Sequence, residues 1–226
     1  MVLTMARDNL DRKIKEIKDE LLVQQSMVEQ MTLQAVQALV QRDMNAAQRI
    51  YEYDRRVNQK HLEIEKQCLT LMATEPPILA TDLRLLASIL EINSILENFG
   101  DYAKGIARTC LAISGDPPVA ELVQITLLAE KVVELLHDAL GAFVSGDIDK
   151  AQHIPCTSTE ILDAAADINQ VLFSEMIGNP GNIQQVNKLL YISHNLERMA
   201  DLVSNICERT VYISTGDLKS LKQSLK

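Results

Sequence analysis

Two segments of the chain repeat each other one hundred residues apart, and no other feature constrains the fold as strongly. "LRLLASILEINSILENFGDYAKGIAR" from 83 and "IQQVNKLLYISHNLERMADLVSNICE" from 183 align without a gap. Leu90 falls on Leu190, Ile92 on Ile192, Leu96 on Leu196, Glu97 on Glu197, Asp101 on Asp201 and Ile106 on Ile206. A second match lies upstream, where "DMNAAQRI" from 43 meets "DIDKAQHI" from 147 at an offset of 104. The chain therefore reads as a tandem duplication, 1–114 and 115–215, followed by a tail over 216–226.

Periodicity gives each half its content. Leu10, Ile14, Ile17, Leu21, Val28, Met31 and Ala35 keep a spacing of three or four, interrupted by Gln24, which is the signature of a helix with one buried stripe. Breaks fall at "RDMN" near 43, "TEPPILATD" at 74–82, "SGDPP" at 114–118, "SGD" at 145–147 and "GNPGN" at 178–182. They predict six helices near 7–41, 43–73, 78–114, 117–144, 147–177 and 181–214. Scarce aromatics and abundant Leu, Ala, Glu, Gln and Lys agree with an all-α chain. Short connections make sequential helices antiparallel. Three helices alone bury little core, so the two three-helix bundles are expected to pack side by side.

Charge and composition exclude several roles. With 31 acidic against 22 basic residues and no dense Lys/Arg cluster, nucleic acid is a poor partner. No apolar run approaches the roughly 20 residues that span a bilayer, so direct membrane insertion is not expected. The charged start, from Arg7 onward, lacks the apolar core of a secretory signal, and a cytoplasmic location is expected. Cys68, Cys110, Cys156 and Cys207 are widely separated and without a CxxC, which reads as reduced, mostly buried thiols.

Acidic pairs four apart arise by chance in a helical chain where about one residue in seven is acidic. The same LExxxD at the same place in both halves is less easily accidental. "ELLH" at 134–137 has the ExxH spacing of di-iron bundles, but no second copy exists, and a surface His137 is the simpler expectation. No Gly-rich phosphate loop, GxSxG or spaced Cys–His pair is present, and the chain is expected not to be an enzyme.

The motifs resemble those of the PhoU family of phosphate-signalling proteins, built from a duplicated three-helix bundle with an LERxGD-like motif on each third helix. Here the motif reads "LENFGD" at 96–101 and "LERMAD" at 196–201. "NI" at 205–206, "VYISTGD" at 211–217 and "ATDLR" at 80–84 also match family positions. Asn98 and Phe99 replace the usual Arg-Ile, Ala200 replaces the usual glycine, and Gly105 stands opposite Asn205.

The resemblance implies a non-catalytic adaptor, a negative regulator of phosphate uptake and of the phosphate-starvation response. Its implied partners are a sensor histidine kinase and the ATPase subunit of the phosphate ABC transporter. Apolar faces left over after folding would suit a homodimer.

Some members of that family hold multinuclear iron or zinc on acidic pairs. The corresponding residues here are Asp54 and Asn58 opposite Glu97 and Asp101, with His61 and Glu65 continuing the first face and Lys104 and Arg108 following Asp101. In the second half Glu197, Asp201 and Glu208 share a sector. Ser158 and Leu162 stand where Asp54 and Asn58 would correspond, and Asp163 and Asp167 fall on another face unless Pro155 shifts the helix. The alternative function is a metal-binding helical bundle, a store or a metal-dependent enzyme, unrelated to phosphate signalling. A further possibility is a structural bundle with no ligand.

Overall fold

A computed structural model describes residues 2–74, 78–113, 119–218 and 221. The break at 114–118 and the boundary between the halves at 114/115 lie outside the described residues, as does most of the tail. Six helices account for nearly all of the rest, and no strand occurs among the described residues. They are α1 (Val2–Gln41), α2 (Met44–Thr74), α3 (Ala80–Ala112), α4 (Val119–Ser145), α5 (Ile148–Gly178) and α6 (Ile183–Thr215), the last preceded by a 3-10 turn at Pro180–Asn182. The expectation of six long helices holds, and α1 starts a turn earlier than the periodicity suggested.

The upstream repeat proves to be a matched helix–turn–helix corner. Arg42 has φ 55° and Gly146, its equivalent at offset 104, has φ 72°. In each corner the next residue's N–H reaches back, Asp43 to the Ala38 carbonyl and Asp147 to the Ala142 carbonyl, closing the helix end. The same aspartate then caps the following helix, Asp43 accepting from the Ala46 N–H and Asp147 from the Lys150 N–H, both at 2.9 Å.

Burial keeps one register in both halves. Leu21, Val28, Ala35, Ile50, Val57 and Ile64 are buried, and so are Ile125, Val132, Ala139, Ile154, Ile161 and Ile168, each 104 residues on. Pro155 sits inside α5 without shifting that register, because Ala151 before it and Ile168 and Leu172 after it all stay buried. Each fully buried Leu, Ile, Val or Phe contributes about 1.5–3 kcal/mol relative to exposure. One continuous core runs through both bundles.

Each bundle packs its own three helices, and the halves meet where α3 lies on α6 and α1 lies on α4. Among the described residues α2 touches only α1 and α3, and α5 only α4, α6 and the 3-10 turn, so these two helices are outermost. Two of the family-like fragments meet across the halves. Arg84 of "ATDLR" donates to the Ile213 carbonyl of "VYISTGD" at 3.4 Å, where Gly216 ends α6 in the left-handed conformation.

Asp82, in the same fragment, is buried. It takes two bonds from Arg7, at 2.6 and 3.0 Å, and one from the Leu79 N–H at 3.0 Å. Burial alone would push its carboxyl up. The Arg7 guanidinium and the Leu79 N–H outweigh that and hold it below the usual aspartate value. A carboxyl with a depressed folded-state pKa stabilises the fold above the unfolded value and loses that contribution as pH falls through the folded one. Arg7 is partly exposed, which limits the effect. Arg7→Gln is therefore expected to lower stability by about 1 kcal/mol at neutral pH. The difference from wild type should close as pH drops below the ordinary aspartate value of about 3.9. Urea denaturation at a series of pH values measures it, and a gap that persists in acid would count against the ion pair.

Three thiols, Cys68, Cys110 and Cys207, are buried, while Cys156 is exposed, and no disulfide joins described cysteines. Desolvation pushes Cys68 and Cys207 up to about 12, which suits packed thiols and not nucleophiles.

Candidate functional site

The repeated LExxxD places its acids on α3 and α6, but the two copies have different surroundings. On α3 the Glu97 and Asp101 side chains face α2, which brings up Asp54 and Asn58 from one turn to the next. Asp54 is only 2% exposed. Its Oδ2 accepts from Lys104 Nζ at 2.6 Å and from Asn58 Nδ2 at 3.3 Å. Lys104 also stands 3.9 Å from Asp101 Oδ1 and lies over the Tyr51 ring, 5.5 Å from its centre. An open groove of about 300 Å³, lined by Tyr51, Asp101, Lys104, Gly105, Arg108 and Tyr191, leads away from this cluster toward the α3–α6 seam.

The electrostatics follow from this crowding. Glu97 is pushed up by desolvation and then by Asp101, with Asp54 adding to it and His61 and Lys104 opposing it. Asp101 is raised by desolvation and by Asp54, against Lys104. Lys104 is raised by its bond to Asp54, against desolvation. The cup thus holds more negative charge than one ammonium cancels.

On α6 no such cup forms. Glu197 pairs with His194 at 3.4 Å and Asp201 lies 3.9 Å from Arg198, both within the same helix. Ser158 donates to the Ala200 carbonyl at 3.2 Å, and Leu162 packs against the core. Glu208 accepts the Leu221 N–H at 3.0 Å, tying the tail to α6. Asp163 and Asp167 are exposed, and Asp167 lines a groove between α4 and α5. His137 is exposed and meets only Gln25 and Glu29, so the ExxH has no metal-binding counterpart among the described residues.

A polar layer of Gln24, His61 and Asn93 lies inside the first bundle. Gln24 Nε2 donates to the Asn93 carbonyl at 3.3 Å, and Asn93 Nδ2 donates to the His61 carbonyl at 2.9 Å. The signal for Asn93 was its position inside the apolar register of "EINSIL", opposite Ser193 in the other half.

The donor set of the first cup does not fit a multinuclear iron or zinc cluster. An ammonium already bonds Asp54, Asn58 turns its amide donor toward that carboxylate, and only Asp54 and Asn58 keep a buried oxygen without a partner, Oδ1 in each. Among the described residues no group of three or more His, Cys, Asp or Glu side chains is placed to hold a metal ion. At the second-half positions, Glu197 and Asp201 stand beside His194 and Arg198 of their own helix, and α5 carries Ser158 and Leu162 where α2 carries Asp54 and Asn58.

Two three-helix repeats fused through one core, each carrying an LExxxD on its third helix, define a duplicated helical-bundle protein. The PhoU domain model matches the chain twice, over residues 21–110 and 125–210, and the chain belongs to the PhoU family. It is 29% identical over 216 residues to the phosphate-specific transport system accessory protein PhoU homolog of Clostridium acetobutylicum, covering 94% of this chain and 97% of that one. It is 30% identical over 204 residues to the phosphate-specific transport system accessory protein PhoU of Escherichia coli K12, covering 90% and 84% respectively. The crystal structure of the phosphate transport system regulatory protein PhoU from Streptococcus pneumoniae superposes with a TM-score of 0.86 at 30% identity, over 93% of this chain and 99% of that one.

Proposed function

We propose that the chain is an accessory protein of a phosphate-specific transport system, acting as a negative regulator of phosphate uptake and of the phosphate-starvation response. The observation that carries this is the family match over both repeats together with the names of its relatives, accessory proteins of that system. The partners proposed are a sensor histidine kinase and the ATPase subunit of the phosphate ABC transporter, both met from the cytoplasmic side. A rigid helical bundle can hold a partner in one conformational state, provided it binds that state more tightly than the other. Leu62 and Leu69 on α2, Val123 and Leu127 on α4, and Val171 on α5 are large exposed apolar side chains. Such groups suit docking or a homodimer. The proposed role needs no iron or zinc, and the alternative of a metal store or metal enzyme is disfavoured by the Lys104–Asp54 bond.

Deleting the gene is expected to raise phosphate uptake severalfold and to switch on the starvation response in phosphate-rich medium. A plasmid copy should reverse both. Unchanged uptake, together with failure of the purified chain to capture either the kinase or the ATPase, would sink the proposal.

A further inference from the structure

Asp54 is a buried carboxylate, and a buried charge persists only with a close partner. The partner here is Lys104, one turn beyond Asp101 on α3. Comparison of the halves shows what Lys104 belongs to. In the register of the repeat, Asp54 corresponds to Ser158 and Lys104 to Ser204, and both serines are buried. Acid and ammonium are thus absent together from the second half, while the LExxxD glutamate and aspartate are present in both. Lys104 goes with Asp54 and not with the repeated motif. Two buried oxygens, Asp54 Oδ1 and Asn58 Oδ1, remain without a hydrogen-bond partner beside it. They are hard ligands of the kind that divalent cations take.

We propose that Lys104 is the resident cation of the first-half cup, its ammonium standing where a divalent ion would bind Asp54, so that the cup takes such an ion only when Lys104 is gone. The ammonium is tethered and always present near neutral pH, so Asp54 keeps its counter-charge independently of metal supply. This goes beyond the regulatory role proposed above and does not depend on it.

Mn²⁺ titration of the full chain, followed calorimetrically and by the loss of the free-ion EPR signal, tests the proposal. Wild type should take up no Mn²⁺ through Asp54. Lys104→Ala should bind at least about tenfold more tightly than wild type, and the added Asp54→Asn should abolish the gain. Asp54-dependent binding by wild type, or a folded Lys104→Ala that binds no better, would overturn it.

A second measurement stands even if Lys104→Ala folds poorly. Lys104→Ser and Asp54→Ser are each expected to shift the unfolding equilibrium about tenfold or more, since each strands or deletes a charge. The double variant, which reproduces the second half's serines, should return to within about threefold of wild type. Losses that simply add would show that the two residues are not a unit.

Discussion

Phe99→Ala is expected to lower stability by about 3–5 kcal/mol, the range for deleting a fully buried aromatic ring. Phe99 lies between Glu97 and Asp101 in the first LExxxD and has no exposed surface. Its neighbour Gly100 lets α2 approach so closely that a Cβ there would sit 3.0 Å from Val57 Cγ1. That close approach leaves little slack for the helices to collapse into the hole left by the ring. The counterpart Met199 is equally buried, but its neighbour is Ala200, and a thioether adapts to gaps more easily than a ring. Met199→Ala should therefore cost less, about 2–3 kcal/mol. Urea denaturation followed by far-UV circular dichroism measures both losses. Equal losses, or a loss below about 1 kcal/mol at Phe99, would mean that the first motif is not clamped to α2 as described.

Helix positions were legible because a buried stripe must recur every three or four residues, whichever neighbour covers it. The two offsets, 104 upstream and 100 downstream, also told where the halves differ. The second half is shorter between its second and third helices, where "GNPGN" stands for the longer "TEPPILATD". The stripe pattern could not say which neighbour a polar residue would find. Gln24 interrupted an apolar stripe and looked like a defect, yet it is buried and bonded to the backbone of Asn93 on another helix.

The candidate site shows the same limit. Spacing placed Asp54 and Asn58 on one face and Glu97 and Asp101 on another, and named Lys104 as following Asp101. It could not decide whether a flexible lysine turns out to water or in to a carboxylate. That choice depends on the burial of Asp54, which leaves the carboxylate no solvent to replace the ammonium. The duplicated motif gave equal weight to both copies, and the difference between them lies in the neighbouring helices. Leu128, Ala165 and Ser193 in the second half stand where the first has Gln24, His61 and Asn93. One repeat thus keeps a polar interior beside its charged cup while the other is packed with apolar or small side chains. Polar atoms left without partners, such as Gln24 Oε1 and Asn93 Oδ1, are a cost of that interior, and the second half carries its own at Ser193 Oγ and Ser204 Oγ.

Gly105→Leu is the other substitution expected to have a large effect, a loss of about 2–3 kcal/mol from overpacking. The repeat pairs Gly105 with Asn205, but the two positions face different things. A Cβ on Gly105 would stand 3.0 Å from Asn195 Nδ2 and 3.3 Å from the Tyr191 hydroxyl, both on α6, whereas Asn205 is exposed. Glycine at 105 therefore lets the third helices of the two halves cross in contact, and a branched side chain there wedges them apart. Leucine is a better helix former than glycine by nearly 1 kcal/mol, so any net loss reports the seam and not the helix. Asn205→Leu is the matched control and should stay within about 0.5 kcal/mol of wild type. Adding Asn195→Ala to Gly105→Leu removes the nearest obstruction and should recover part of the loss, because the two residues touch. Denaturant midpoints for the four chains, with small-angle scattering to detect a swollen bundle, distinguish the outcomes. If Gly105→Leu were as stable and as compact as wild type, α3 and α6 could not be crossing at Gly105, and the halves would have to be joined mainly through α1 and α4.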